Sequence, residues 1–274
     1  MFLTCGTFKL DLSRPRVMGI INVTPDSFSD GGRFLLRDAA LIHAEQLMAD
    51  GADILDIGGE STRPGAAAVS VQEELDRVMP VIEALKDVGV PLSIDTLKTE
   101  VMRASIAAGI HMVNDVNALQ AADALSVVAA SHAGICLMHK QGEPATMQQR
   151  PQYDEVSDEV LAFLQARVQA AEAAGVARDR IAIDPGFGFG KTLQHNLQLL
   201  QNLQRFASLG FPVLAGLSRK SMLGMITGRE VGQRLAASLA AAIMAVDNGA
   251  RILRVHDVKE TVDALKVWSA VDGC

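Results

Sequence analysis

Polar residues able to bind an anion or a flat ring follow short apolar runs in this chain. The first example is the segment GIINVTPDSFSDGG, residues 19–32, in which an apolar run stops at Asn22 and a polar loop with one aromatic residue, Phe28, follows. Short apolar runs bounded by turn residues are typical of buried strands, and loops at strand ends often carry function. Alone, the segment is equally consistent with a surface turn.

The same arrangement recurs at eight apolar runs. The polar residues at their ends are Asn22; Asp56, Glu60, Ser61, Thr62 and Arg63; Asp95; Asn114 and Asp115; His139; Asp184; Ser218, Arg219, Lys220 and Ser221; and Arg254, His256 and Asp257. Singly, each has an ordinary explanation: an Asp as a cap or structural acid, His139 as a supporting residue, Lys191 and Arg219 as solvated charges. Eight polar ends beside apolar interiors favour one shared active site.

The residue types indicate which ligand such a site would bind. Donors suited to a phosphate or pyrophosphate are Ser61, Thr62, Arg63, Arg254 and His256. The amide oxygen of Asn22 could bind Mg²⁺, which keeps most of its waters.

Other residues suit a flat heterocycle. Asp95, Asn114 and Asp184 could pair with an edge of N–H groups, and Met138, Phe189 and the Arg254 plane could cover the faces of the ring. The inventory therefore fits a polar-edged ring that carries a pyrophosphate.

Alternating strands and helices must position these residues. The predicted strands are 17–23, 54–57, 92–95, 112–116, 134–139, 181–184, 213–217 and 252–255, and the predicted helices are 38–50, 71–88, 153–174, 193–209, 233–248 and 258–271. Ser70 and Glu73 form a capping-box pattern, and glycine follows most helices, as expected at a helix-to-strand turn.

Eight strand–helix repeats predict an α/β protein with a (β/α)₈ barrel, formed by residues 1–274 as one domain. An open doubly wound sheet is the competing fold, but it would favour a GxGxxG motif after the first strand, where this chain has none. The first twelve or so residues predict a hairpin over the lower end of the barrel.

Composition excludes several function classes. The net charge of −7 argues against a nucleic-acid or anionic-membrane partner. Three widely spaced cysteines without a CxxC motif suit reduced thiols in the cytoplasm. The N-terminal residues lack the apolar region of a signal peptide, and the longest apolar stretch, 235–246, is too short to span a bilayer.

Seven motifs occur in the order of a known family. NVTPDSFSDGG, GGESTRPGA, SIDT, VNDV, DPGFGFGKT, SRKS and RVHD lie at successive strand ends, and on these motifs the chain closely resembles the dihydropteroate synthases of the folate pathway. The resemblance runs essentially end to end and implies a pterin-binding (β/α)₈ barrel. It implies that 6-hydroxymethyl-7,8-dihydropterin pyrophosphate condenses with p-aminobenzoate, which gives 7,8-dihydropteroate and pyrophosphate.

The resemblance also implies roles for individual residues. It places the pterin at Asp95, Asn114, Met138, Asp184, Lys220 and Arg254, the pyrophosphate at Ser61, Thr62, Arg63, Arg254 and His256, and p-aminobenzoate at Phe28, Thr62, Pro64, Phe189, Lys220 and Ser221. Asn22 would contact Mg²⁺, and the catalytic residues would be Asp95, Lys220, Arg254 and His256. The reaction would proceed by ionisation of the C–O bond, in an enzyme that is commonly a homodimer and a sulfonamide target.

Three rival functions are weighed against this one. A pterin-binding methyltransferase on the same barrel is the alternative, but it should lack the SFSDGG and STRPGA loops, which are present. A metal-dependent amidohydrolase would need His-x-His after the first strand, where this chain has Asn-Val-Thr at 22–24. A non-catalytic paralogue should have lost Asp95, Lys220 or Arg254, and all three are present. One departure from the family pattern is Lys140, which adds a positive charge near the mouth of the barrel.

Overall fold

Eight parallel strands close into a barrel in the computed structural model of this chain, which describes residues 1–24, 33–61, 68–143 and 146–272, without the side chains of 33–36 and 272. Two strands, β1 (Phe2–Cys5) and β2 (Phe8–Asp11), precede the barrel. The eight barrel strands are β3 (Arg16–Asn22), β4 (Ile54–Gly58), β5 (Leu92–Asp95), β6 (Met112–Asp115), β7 (Gly134–Met138), β8 (Ile181–Asp184), β9 (Val213–Ala215) and β10 (Ala250–Val255). Around the barrel the order is β10-β3-β4-β5-β6-β7-β8-β9. The predicted TIM barrel is confirmed.

Helices cover the outside of the barrel between successive strands. They are α1 (Arg33–Ala49), α2 (Val71–Leu85), α3 (Thr99–Ala107), α4 (Ala124–Ala129), α5 (Val156–Ala173), α6 (Leu193–Gln201), α7 (Leu203–Ala207), α8 (Ser221–Thr227), α9 (Leu235–Asp247) and α10 (Val258–Asp272). Of these, α3 and α4 were not predicted, because both are too short to show a clear helical period in the sequence.

Two local predictions about helices need correction. The predicted helix 193–209 is two helices that break at Asn202, whose side-chain amide donates to the carbonyl of Gln198 at 2.9 Å, a local bond that competes with the helical pattern. At α2, the Ser70 hydroxyl accepts from the Glu73 N–H at 3.1 Å, but the Glu73 carboxylate pairs with Arg77 instead of completing a capping box. The predicted glycine stops are confirmed by Gly51 and Gly249, with φ of +99° and +97°.

The side chains on the barrel strands alternate between two environments. Because a strand has a period of two, every second residue points into the barrel and the others face the helices. The lowest inward layer is apolar and consists of Met18, Ile54, Met112, Cys136, Ala182, Leu214 and Ile252, all of them buried. The residues that face the helices, such as Val17, Leu55 and Ile183, belong to the main core cluster.

The predicted N-terminal hairpin closes this apolar end of the barrel. Strands β1 and β2 pair in antiparallel fashion, and Leu3 and Cys5 are fully buried in the cluster formed by the lowest layer. The hairpin also touches the barrel backbone: Gly6 N–H donates to the His132 carbonyl at 2.9 Å, and a Cβ on Gly134 would lie 2.7 Å from Cys5 Sγ. The hairpin therefore contributes the lower part of the core, and only glycine fits at 134.

The cysteines and the helix lengths can be compared with the expectations from composition. Cys5 and Cys136 are free, buried thiols. In residues 1–24, 33–61, 68–143 and 146–272, no helix is long and apolar enough to cross a membrane.

The hairpin contact predicts a stability effect. Leu3→Ala removes a fully buried side chain from the lower core and should lower the free energy of unfolding by about 2–5 kcal/mol, measured by urea denaturation. The neighbouring Phe2 is 48% exposed, so Phe2→Ala should change it by less than about 1 kcal/mol. Equal losses in the two variants would mean that the hairpin does not contribute its buried face to the core.

Candidate active site

Polar residues occupy the inward positions above the apolar layer. In the strand register, Asn22 of β3 lies beside Gly58 of β4, Gly58 beside Asp95 of β5, and Asp95 beside Asn114 of β6. These positions open into a cavity of about 600 Å³ at the carboxyl ends of the strands. Of the predicted site residues, this cavity is lined by Asn22, Ser61, Asp95, Asn114, Met138, Asp184, Phe189, Lys220, Ser221, Arg254 and His256.

Arg254 joins two carboxylates on the floor of this cavity. Its Nε donates to Asp56 Oδ2 at 2.6 Å, and one terminal nitrogen donates to Asp95 Oδ2 at 2.7 Å. Asn114 Nδ2 donates to the same Asp56 oxygen at 3.1 Å. Within the described part of the chain, the second oxygens, Asp56 Oδ1 and Asp95 Oδ1, are buried and have no hydrogen-bond partner. A buried acceptor without a partner costs free energy, so a ligand that donates a hydrogen bond to Asp95, which lines the cavity, would be favoured here.

The carboxyl groups of the site hold their protons unusually well. Burial raises the pKa of Asp95, Arg254 lowers it and the neighbouring Asp56 raises it, and together they bring the pKa to about 7. Burial likewise raises the pKa of Asp184 to about 6, while the Gly186 N–H, which donates to Asp184 at 2.7 Å, and Lys220 lower it. Perturbed acids in a cavity are characteristic of functional sites.

An apolar wall faces the carboxylates. Val116, Met138, Met147 and Phe189 form a separate buried cluster beside the cavity. The ammonium of Lys220 lies 4.2 Å from the centroid of the Phe189 ring, within cation–π distance. A flat ring could therefore lie against apolar side chains while its edge reaches Asp95, Asn114 or Asp184.

The segment after β9 adds donors to the rim. Ser218 Oγ lies 3.0 Å from His256 Nδ1 and accepts from the His256 N–H at 3.2 Å. Arg219 is not the solvated charge considered above, since its side chain forms two hydrogen bonds to Asp257, at 3.0 and 2.5 Å. Its φ of +57° is strained for a non-glycine residue and turns the chain from β9 into α8.

Four further residues have structural surroundings that the sequence left open. Lys191 is only 3% exposed and lies against His139, so it too is not a solvated charge, while His139 is a hydrogen-bonded supporting residue. Asp115 accepts from the N–H groups of Asn117 and Leu119, both at 2.7 Å, and is the structural acid that the ordinary explanation favours. Lys140, the departure from the family pattern, pairs with Glu143 at 3.2 Å.

The side-chain oxygen of Asn22 is the ligand that this site offers to a metal ion. A Cβ added to Gly58 would lie 3.8 Å from both Asn22 Oδ1 and Asp95 Oδ2, so both oxygens face the same part of the cavity. Among the described residues, no group of three or more His, Cys, Asp or Glu side chains could bind a metal. One amide oxygen beside a carboxylate fits an ion that keeps most of its waters, as Mg²⁺ does.

Some predicted site residues lie outside the described part of the chain. These are Phe28, Thr62, Arg63 and Pro64. The residues that flank the second segment are described: Glu60 accepts from the Val69 N–H at 3.0 Å, and Lys98 bonds both Glu60 and the fully buried Glu74, at 2.7 and 2.5 Å.

Sequence reasoning missed three contributors to the site. Asp56 was recorded at a strand end but given no role, although it carries the main ion pair of Arg254. The strand period could have found it: Asp56 lies two residues before Gly58 on the same strand, so both positions face the inside of the barrel. Lys98 and the Lys191 environment had no such signal, since both depend on contacts between distant segments.

Comparison with known proteins identifies the family that shares this arrangement. Residues 18–256 match the model of a family described as pterin binding enzymes. A curated relative from Haemophilus influenzae, a dihydropteroate synthase, is 52% identical over 262 residues, which cover 95% of this chain and 95% of that protein.

Solved structures agree with the sequence relatives. A Xanthomonas albilineans dihydropteroate synthase with 4-aminobenzoic acid is 55% identical, with a TM-score of 0.94 and coverage of 100% of this chain and 98% of that one. A second structure of that protein, with 7,8-dihydropteroate, has 52% identity, a TM-score of 0.91 and full coverage of both chains. A Yersinia pestis dihydropteroate synthase in a sulfonamide complex has 50% identity, a TM-score of 0.95 and full coverage of both chains.

The raised pKa values predict how stability depends on pH. In the unfolded chain the pKa of such a carboxyl group is near 3.8, whereas the pKa of about 7 of folded Asp95 keeps its proton bound to about pH 7. The folded state therefore binds more protons between those values, and the free energy of unfolding should fall as pH rises through that window. Asp95→Asn should flatten this fall, measured by urea denaturation at several pH values from 5 to 8.

A surface acid supplies the control for this experiment. Hydrogen bonds from the Ser13 N–H and hydroxyl lower the pKa of Asp11, so its contribution is lost only at lower pH. Asp11→Asn should leave the slope above pH 5 unchanged. The assignment to Asp95 is wrong if Asp95→Asn retains the wild-type slope.

Proposed function

The chain belongs to the dihydropteroate synthase family of pterin-binding enzymes, and we propose that it joins 6-hydroxymethyl-7,8-dihydropterin pyrophosphate to p-aminobenzoate at the carboxyl end of its barrel. The products are 7,8-dihydropteroate and pyrophosphate. The observation that carries this proposal is the row of buried polar side chains, Asp95, Asn114 and Asp184, that lines the cavity beside an apolar wall. They form a complementary surface for a flat ring with N–H groups along its edge.

The pterin would lie between the floor and the wall. Its N–H edge would meet Asp95, Asn114 and Asp184, and its faces would contact Met138 and the Arg254 guanidinium, which is held in place by Asp56. Donation of hydrogen bonds by the ring favours an ionised carboxylate, so substrate binding would lower the raised pKa of Asp95. Asp95 would then be an anion when the reaction begins.

The difficult step is cleavage of the C–O bond to pyrophosphate. The bonding electrons leave with the pyrophosphate, and Arg254 on the cavity floor and His256 at its rim would stabilise the developing negative charge. The carboxylate of Asp95 would stabilise the positive charge left on the pterin methylene. The arylamine nitrogen then forms the new C–N bond and loses a proton, and a neutral arylamine needs little help from a general base.

The second substrate would bind against Phe189 and Lys220. The Phe189 ring gives an apolar face, and Ser221, at the exposed rim of the cavity, begins α8. The ammonium of Lys220 can reach a negative charge while its stem packs on the Gly188 backbone, where an added Cβ would lie 3.3 Å from Lys220 Cδ. By resemblance, Phe28, Thr62, Arg63 and Pro64 would complete the two substrate sites.

Mg²⁺ would bind at Asn22 together with the pyrophosphate of the substrate. The fit rests on the Asn22 amide oxygen, which faces the same part of the cavity as Asp95. When bound, the ion would neutralise part of the charge of the leaving pyrophosphate.

The alternative, a pterin-binding methyltransferase, would use the same pterin edge. The relatives at 50–55% identity over nearly the whole chain are dihydropteroate synthases, which favours the condensation.

We place the enzyme in the cytoplasm, where the buried thiols of Cys5 and Cys136 would stay reduced, and cell fractionation tests this. The closed barrel, with strands from Arg16–Asn22 to Ala250–Val255, supports a single domain over 1–274, which limited proteolysis tests.

Product formation tests the reaction directly. The purified protein with Mg²⁺ and both substrates should release pyrophosphate and form 7,8-dihydropteroate, and a chelator should abolish this. Asp95→Asn removes the proposed stabiliser of the cation and should lower turnover by about 10²-fold or more, with the fold intact by circular dichroism. Folded wild-type protein that forms no product would rule out the assignment.

We also propose that the protein is a homodimer that associates through α8, α9 and α10. These neighbouring helices carry exposed apolar side chains at Met225, Ile226, Met244, Val267 and Val271. Large exposed apolar side chains grouped on adjacent helices mark an interaction surface.

The oligomeric state tests this surface. Light scattering should give a dimer for the wild type and a shift toward monomer for Met244→Glu, which places a charge on the proposed contact face. Ile42→Glu alters an equally exposed side chain on α1 and should leave the dimer intact. A wild-type monomer, or a dimer unaffected by Met244→Glu, contradicts the proposal.

A further inference from the structure

Lys191 is a buried lysine whose side-chain hydrogen-bond partners in the described chain are the His139 ring and backbone carbonyls. Its ammonium lies 2.9 Å from His139 Nδ1, 2.9 Å from the Gly186 carbonyl, 3.1 Å from the Phe189 carbonyl and 3.4 Å from the His139 carbonyl. A charge buried in this way is costly unless hydrogen bonds compensate it. The compensation here comes from the backbone of one loop, residues 186–190, and from the end of β7.

The direction of the Lys191–His139 bond follows from the surroundings. Burial, and then the neighbouring Lys191, lower the pKa of His139 to about 3, so its ring is neutral and Nδ1 accepts. Burial lowers the pKa of Lys191 to about 7, against the nearby Asp184, which raises it. The lysine is therefore the donor, and His139 is one of its acceptors.

The loop that Lys191 binds, residues 186–190, also forms hydrogen bonds with side chains on the side away from the cavity. Tyr153 donates its hydroxyl hydrogen to the Gly190 carbonyl at 2.9 Å, Gln148 donates to the Gly188 carbonyl, and Asn196 accepts from the Gly188 N–H at 2.7 Å. The loop is also pressed against β7: a Cβ on Gly186 would lie 1.9 Å from the His139 carbonyl oxygen, and Gly186 has a φ of +72°. Such contacts leave the loop little freedom to move.

The front of the same loop forms a wall of the active site. It carries Phe189, whose ring lies under the Lys220 ammonium, and Gly188, which packs on the Lys220 stem. A shift of the loop would therefore move both the aromatic surface and the cation proposed for p-aminobenzoate.

We infer that Lys191, assisted by Tyr153, is a positioning residue that holds the 186–190 loop in the conformation that binds the arylamine substrate. Lys191 acts through the carbonyls of Gly186 and Phe189 and does not touch substrate. This role rests on the proposed function, because it assumes that the arylamine packs against Phe189 and Lys220.

Kinetics separate positioning from simple destabilisation. Lys191→Met keeps the length of the side chain but removes all of its donors, and should raise KM for p-aminobenzoate by about tenfold or more, with kcat at saturation within about threefold of wild type. KM for the pterin substrate should rise less, since Asp95 and Asn114 lie on strands away from this loop and only Asp184, which accepts from the Gly186 N–H, connects the pterin site to it. A variant that is only destabilised would instead lose kcat per total protein with KM unchanged, and this result would overturn the inference.

A milder variant keeps the inference testable if Lys191→Met does not fold. Tyr153→Phe removes one donor to the loop and should raise KM for p-aminobenzoate by about threefold, again with kcat preserved. An unchanged KM in Tyr153→Phe, with Lys191→Met either unfolded or also unchanged, would overturn it. Lys86→Met, at an exposed lysine directly after α2, is the matched control and should behave as wild type.

The wild-type protein distinguishes the two possible failures. Absence of dihydropteroate from folded wild type refutes the proposed function and, with it, the assumption that the loop binds an arylamine. Product formation by the wild type together with unchanged KM values in the variants refutes only the role of Lys191.

Discussion

The two-residue period of the strands in a closed parallel barrel is the constraint on which the rest of this structure depends. Only every second residue of a strand points inward, and the inward side chains of alternate strands stack in layers, so a few inward positions set the content of each layer. In the lowest layer those positions are apolar and are covered by Leu3 and Cys5 of the hairpin. One step higher, Asp56 and Arg254 replace Ile54 and Ile252, and a core becomes a site within two residues of the same strands.

Arg254 compensates part of the free-energy cost of burying carboxylates directly above the apolar layer. A buried carboxylate without a partner would be expensive, and a single guanidinium offers several donors in a fixed plane. Asp56 and Asp95 share that guanidinium, but one cation does not neutralise two carboxylates, and among the described residues one oxygen of each has no hydrogen-bond partner. The raised pKa of Asp95 has the same origin as the binding surface, because both arise from acceptors that burial has separated from water.

The opposite wall of the cavity depends on a different principle. Phe189 lies on an irregular loop rather than on a strand, and irregular backbone near a core must have its polar groups satisfied. Lys191 and Tyr153 supply donors to that backbone, while Asn196 supplies an acceptor. The barrel sheet thus positions the acids, and hydrogen bonds from neighbouring elements position the aromatic wall.

The sequence by itself determined the barrel, the hairpin and the residues at the strand ends, because strand and helix periods and the turn glycines are local properties. It also grouped Asp95, Asn114, Asp184 and Arg254 correctly, since parallel strands bring their carboxyl ends together. Only the tertiary structure decided that Asp56 pairs with Arg254, that Asp115 is structural, and that Lys191 is buried beside His139. Those outcomes depend on contacts between residues as much as 198 positions apart, and on burial that no local pattern records.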